Sequence, residues 1–200
     1  TLQETWINLV LFGPPGAGKE TQARRLAEKY NLAFIATGDL LRQEVAEGSD
    51  FGLLAREHMN VGGLVPDELP IRIIEREIGK NPGARGFVFK GFPRTIVQAY
   101  ILDGLLRRLN SSVTCMLHLD MPHLQSIRRL QARGATERRR LYDMELEVII
   151  RRLEEYEQKT AHVAQYYQQQ GKCFRINSNR DGDEAFADLC QAVDSAVRLA

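Results

Sequence analysis

The stretch that most constrains this chain runs from Ile7 to Lys19. An uncharged run, Ile7 to Phe12, breaks into Gly13-Pro14-Pro15-Gly16-Ala17-Gly18-Lys19, and Thr21 to Tyr30 follows with helical spacing. A strand without charge reads as buried on both faces, the habit of parallel sheets. The glycines then let the backbone curl so that successive N–H groups converge on one anion. Lys19 adds a cation there, and the helix behind it aims its positive end at the same place. Gly13 to Lys19 match G-x-x-x-x-G-K in the strand–loop–helix context that pattern requires, which predicts a cradle for nucleotide phosphates. The next position usually carries a Ser or Thr hydroxyl for Mg²⁺, but here it is Glu20, a carboxylate beside the expected phosphates.

Composition narrows the partners. Two hundred residues with 44% apolar content suit one domain with an ordinary core. With 27 basic against 26 acidic residues, the net charge of +1 argues against a protein that holds nucleic acid by bulk electrostatics. Cys115, Cys173 and Cys190 are odd in number and widely spaced, so neither a disulfide framework nor a zinc site is expected. The first residues lack a basic segment followed by an apolar one, and no apolar run approaches the roughly 20 residues of a membrane span. The expectation is a cytoplasmic protein that binds no membrane.

Further apolar segments read as strands: Leu32 to Ala36, Phe87 to Phe89, Val113 to Leu119 and Cys173 to Ile176. Helices are expected from Thr37 as N-cap, over Phe51 to Asn60 and Asp67 to Gly79, and after Thr95 to about Leu109. Others are expected from Pro122 to Arg133, from Met144 to about Gln169 as one long helix, and from Asp183 to Leu199. Five apolar strands alternating with helices specify an α/β fold, a parallel sheet with helices on both faces. Ligands of such sheets bind beyond the carboxyl ends of the strands, where Lys19, Thr37, Arg94 and the loop after Ile176 fall. Arg42, Arg94, Arg129, Arg133, Arg140 and Arg152 sit at loop ends and helix termini. Taken singly, each is most simply a solvated surface charge; beside a phosphate loop, fork-shaped guanidiniums are the machinery phosphoryl transfer needs.

Four blocks together resemble the adenylate kinase family over essentially the whole chain. They are Gly13-x-Pro15-Gly16-x-Gly18-Lys19-x-Thr21-Gln22, Thr37-Gly38-Asp39-Leu40-Leu41-Arg42, Leu64-Val65-Pro66-Asp67-Glu68, and Gly91-Phe92-Pro93-Arg94 with Gln98. The resemblance implies a P-loop nucleotide kinase fold with core 1–36, 66–133 and 144–200, a helical insertion 37–65 that binds the monophosphate, and a short lid 134–143. It implies transfer of the ATP γ-phosphoryl group to AMP, giving two ADP, by a monomer. Gly16, Ala17, Gly18, Lys19, Glu20 and Thr21 would then hold ATP phosphates, with Arg129, Arg133 and Arg180 also on the ATP side. AMP would meet Thr37, Arg42, Gly63, Leu64, Val65, Gly91, Phe92, Pro93, Arg94 and Gln98. Arg140 and Arg152 would clamp the moving group, and Lys19, Arg94 and Arg133 would join them in catalysis. Mg²⁺ would arrive with ATP, without a direct protein ligand unless Glu20 supplies one.

The chain departs from the family pattern at three positions, all around the expected phosphates. It has Glu20 where the family has Gly, Lys90 where it has Asp, and Tyr142 where it has the first of two Asp. Glu20 and Lys90 are expected to be neighbours and to form an ion pair, leaving total charge unchanged. Two alternatives accompany the main reading: a nucleotide-binding pseudoenzyme that acts through a partner, and a kinase for UMP or CMP. Gln98 and Thr37 favour adenine, because a carboxamide can pair with its amino and ring-nitrogen edge.

Overall fold

The uncharged run becomes strand β1, Ile7–Phe12, at the centre of the sheet. A computed structural model describes residues 6–61, 68–136 and 145–199. Gly63, Leu64, Val65, Arg140 and Tyr142, and most of the expected lid, lie outside the described residues. The elements alternate: α1 (Lys19–Tyr30), β2 (Ala33–Ala36), α2 (Thr37–Ala46), α3 (Asp50–Asn60), α4 (Glu68–Lys80), β3 (Gly86–Lys90) and α5 (Ile96–Arg107). Then come β4 (Cys115–Asp120), α6 (His123–Gly134), α7 (Leu146–Glu155), a π-turn (Tyr156–Thr160), α8 (Ala161–Gln169), β5 (Cys173–Asn177) and α9 (Gly182–Leu199).

The five strands lie in the order β2-β3-β1-β4-β5, every neighbouring pair parallel. Alternate residues of β1 feed two cores, as the two-residue period of a strand requires. Leu9 and Leu11 pack with Leu26 of α1 and Leu189 and Val193 of α9. Val10 and Phe12 pack on the other face with Leu102 and Leu106 of α5 and Val163 and Tyr167 of α8. The α/β expectation therefore holds, with helices on both faces. A separate small core joins Leu41 of α2, Ala55 of α3 and Leu69 and Ile73 of α4.

Register sets up the site. Leu11 pairs with Lys90, Phe12 with His118, and Ala36 with Lys90, so the carboxyl ends of β1, β2, β3 and β4 meet at one edge. Two expectations are corrected. Thr37 is not an N-cap: it is the first residue of α2, whose cap is Ala36, and its hydroxyl donates instead to the Lys90 carbonyl at 3.4 Å. The helix expected as one piece to Gln169 is interrupted by the π-turn, where the Ala161 amide reaches back to the Tyr156 carbonyl.

Candidate active site

Gly13 and Gly16 make the loop possible. Their φ values are +156° and +83°, and a Cβ would stand 2.8 Å from the Leu119 carbonyl oxygen at Gly13 and 2.9 Å from that of Ser126 at Gly16. The loop therefore packs tightly on β4 and α6, and no larger residue fits there. Lys19 folds back over it, its Nζ donating to the Gly13 carbonyl at 2.7 Å and the Pro14 carbonyl at 3.3 Å. Gly18 caps α1 in the left-handed conformation with no side-chain bond. The first amides of α1 thus face the loop as an anion site.

Beside the loop, Glu20 and Lys90 are neighbours, as expected. Lys90 Nζ lies 3.5 Å from Glu20 Oε2 and 4.0 Å from Asp39 Oδ2. Lys90 is only 7% exposed, so its ammonium is an interior cation held between α1 and α2. The other Glu20 oxygen, Oε1, lies 3.2 Å from Arg24 Nη2, and Asp39 also pairs with Arg42. Both oxygens of Glu20 are thus already engaged by cations.

The Gly91–Arg94 turn beyond β3 is held internally. Arg94 Nε donates to the Gly91 carbonyl at 2.9 Å, and the Arg94 amide donates to Gln98 Oε1 at 2.7 Å. Thr95 caps α5 by accepting from the Gln98 amide. Gln98 is 3% exposed, with its carboxamide oxygen committed to the backbone.

An open cleft of about 470 Å³ lies over these groups, lined by Gly13, Pro15, Lys19, Gly91, Pro93, Arg94, Arg152, Glu155 and Tyr156, with Leu11 and Phe12 at its floor. Lys19, Gly91, Pro93, Arg94 and Arg152, expected from distant parts of the sequence, therefore share one cavity. Arg42, Thr37 and Gln98 are not among its lining residues. Arg129 donates to the Ser178 carbonyl at 3.4 Å, and Arg133 sits in the last turn of α6. Arg180 pairs with Glu184 and Asp188 of α9 and does not line the cleft. Thr21 is exposed on α1.

Sequence reading missed Glu155 and Tyr156. Tyr156 looked like one more apolar position of a long helix, and the available signal was His118, a polar residue in a strand otherwise apolar until Asp120. His118 Nε2 and the Tyr156 hydroxyl are hydrogen-bonded. Asp120 Oδ1 stands 3.2 Å from His118 Nδ1, off the line of a hydrogen bond, and Arg175 holds Asp120 through bonds of 2.9 and 2.7 Å. Burial holds the His118 imidazole below its ordinary value against the pull of Asp120, while Arg175 and Lys19 push the same way as burial. Burial likewise raises the Tyr156 phenol, so both partners are neutral near pH 7.

A parallel sheet whose central strand ends in a glycine loop closed by a lysine, with arginines facing that loop across a cleft, defines a P-loop phosphotransferase. A sequence-family model described as Adenylate kinase matches residues 11–172. The chain is 38% identical over 192 residues to an adenylate kinase of Azobacteroides pseudotrichonymphae genomovar. CFP2, covering 96% of this chain and 100% of that one. It is 43% identical over 171 residues to one of Flavobacterium psychrophilum (86% of this chain, 90% of that one). An adenylate kinase of Xanthomonas campestris pv. campestris is 39% identical over 187 residues, covering 94% and 99%. The chain belongs to the adenylate kinase family.

Proposed function

We infer that this chain transfers the terminal phosphoryl group of ATP to AMP, reversibly, giving two ADP. The observation that carries the reading is the single cleft in which the loop lysine Lys19 faces Arg94 and Arg152. An oxygen of the AMP phosphate forms the new bond to the γ-phosphorus as the bond to the β–γ bridging oxygen breaks, and the electron pair stays on the departing ADP. Little covalent work falls to the protein, so catalysis is positioning and charge stabilisation.

In this reading Gly16 to Thr21 hold the ATP phosphates through backbone amides and Lys19, with Arg129 and Arg133 beyond them. Arg180, engaged with α9, would join them only by leaving Glu184 and Asp188. Thr37, Arg42, Gly63 to Val65, Gly91 to Arg94 and Gln98 form the AMP side, and Arg140 and Arg152 clamp the moving group. Arg42 must exchange Asp39 for the AMP phosphate. Residues 37–65 act as the acceptor-binding insertion and 134–143 as a short lid, both closing to keep water from the γ-phosphate. The small core that Leu41 of α2 and Ala55 of α3 share with Leu69 and Ile73 seats the insertion's helices on α4, which lies just outside the insertion.

Magnesium enters as part of the substrate MgATP. Among the described residues no three acidic, histidine or cysteine side chains form a metal cluster, and Glu20 already faces Arg24 and Lys90. The donor set does not suit an ion held by the protein alone, so the ATP phosphates carry it. The reading keeps the enzyme in the cytoplasm, where ATP and AMP are both met, and a cleft assembled within one chain suits a monomer. Among the described residues no helix is long and apolar enough to cross a membrane.

An acceptor screen tests the assignment. With ATP and Mg²⁺, AMP is turned over faster than UMP or CMP; faster turnover of UMP would reassign the acceptor.

A further inference from the structure

Tyr156 stands where α7 gives way to the π-turn. An α-helix advances about 100° per residue, and a π-turn inserts one extra residue into that progression. The segments before and after Tyr156–Thr160 are therefore offset by about 100° relative to a continuous helix. Two packing demands meet here. Beyond the turn, α8 buries Val163 and Tyr167 against the sheet. Before it, α7 buries Ile149 and Leu153 against Leu130 of α6 while turning Arg152 and Glu155 into the phosphate cleft.

What fixes the seam is a chain of side chains from the opposite wall. The Tyr156 ring lies 5.5 Å from Phe12, the last residue before the loop, and nearly parallel to the His118 imidazole at 18° and 6.3 Å. Its hydroxyl bonds His118 Nε2, His118 Nδ1 faces Asp120, and Asp120 is gripped by Arg175. With the imidazole neutral, the Asp120 carboxylate favours the proton on Nδ1, which leaves Nε2 to accept from the tyrosine. Packing alone would need only an apolar ring at position 156; a polar chain three residues deep, under the floor of the cleft, is not needed to fill space.

We propose that Asp120, His118 and Tyr156 are positioning residues for the phosphoryl-transfer reaction: they lock the register of α7 at the π-turn and thereby aim Arg152 at the transferring group. The proposal rests on the reading of Arg152 as a phosphoryl contact. Loss of the lock lets α7 slide toward a regular helix, which carries Arg152 away from the loop while the sheet stays folded.

The test compares Tyr156→Phe, His118→Leu and His118→Gln in the full chain. Tyr156→Phe and His118→Leu each lower kcat about tenfold with KM for ATP and AMP within about twofold, since displacement of a positioned group by an ångström costs that much or more. His118→Gln, whose carboxamide can still accept from the tyrosine, recovers most of the rate. Tyr156→Phe added to Arg152→Lys slows the enzyme by less than about twofold, because the two act through one guanidinium. Hydrogen exchange of amides 150–160 quickens in Tyr156→Phe while β4 amides do not change. Unchanged exchange, wild-type kcat in Tyr156→Phe, or full additivity with Arg152→Lys each overturns the proposal. Arg152→Lys with wild-type kcat instead refutes the phosphoryl contact, and the register is then still decided by exchange.

Discussion

Removing either partner of the Glu20–Lys90 pair has unequal consequences, and the inequality follows from their burial. At 3.5 Å the two charges attract by about 1.2 kcal/mol in water and about 4.7 kcal/mol at an effective dielectric of 20. The Lys90 side chain is 9% exposed but that of Glu20 is 39% exposed, so solvent screening pulls the value toward the lower figure. A coupling of about 1–2 kcal/mol is expected, a fivefold to thirtyfold change in the unfolding constant. Glu20→Gln takes the nearer of two carboxylates away from an interior ammonium, whose contact with Asp39 is at 4.0 Å. Lys90→Met removes that ammonium together with its desolvation cost and leaves Glu20 at the surface beside Arg24. Glu20→Gln should therefore destabilise more than Lys90→Met. Urea unfolding of the wild type, both single variants and the double variant measures both quantities. A coupling below about 0.5 kcal/mol, or Lys90→Met as the costlier change, would refute the reasoning.

Gly52→Ala should cost about 1–3 kcal/mol or more, because the new Cβ would stand 2.2 Å from the Glu44 carbonyl oxygen where α3 crosses α2; a thermal melt showing no loss would contradict the packing described. Stability should fall on acidification through His118: its folded imidazole lies below the ordinary value, so the unfolded chain takes the proton first. The contribution is full above about pH 6.5 and declines as pH drops below it, and His118→Gln should flatten the wild-type decline between about pH 7 and 5. Identical pH dependence of the urea-unfolding free energy in the two proteins would sink that assignment.

Most of the fold is legible in the sequence because its signals are local. The uncharged run before Gly13, the loop glycines and Lys19 fix strand, loop and helix within 24 residues of chain, from Ile7–Phe12 to the end of α1 at Tyr30. Glu20 and Lys90 are legible as a pair since the loop neighbour and the end of the third strand meet in any such sheet. Thr37 misleads because a hydroxyl at a strand–helix junction reads as a cap, whereas β3 offers it the Lys90 carbonyl. The π-turn leaves no trace in periodicity: Val148, Ile149, Leu153 and Tyr156 keep helical spacing up to it, and the extra residue falls among Glu157, Gln158 and Lys159, which carry no apolar marker. The commitment of the Gln98 oxygen to the Arg94 amide is a tertiary fact that no spacing encodes. Arg180 is the opposite case: its partners Glu184 and Asp188 stand four and eight residues on, in the closing helix expected from Asp183, so that engagement was open to reading from spacing.

The central claim is that this cleft moves a phosphoryl group from ATP to AMP by means of Lys19 and the arginines facing it. Phosphorus NMR of a mixture of ATP, AMP and Mg²⁺ tests it most directly, run with the wild type and with Lys19→Ala, whose lost ammonium should slow transfer by about a hundredfold or more. The account predicts ADP signals growing at the expense of both nucleotides in the wild type and nearly static spectra in the variant. Equal rates in the two samples would contradict it.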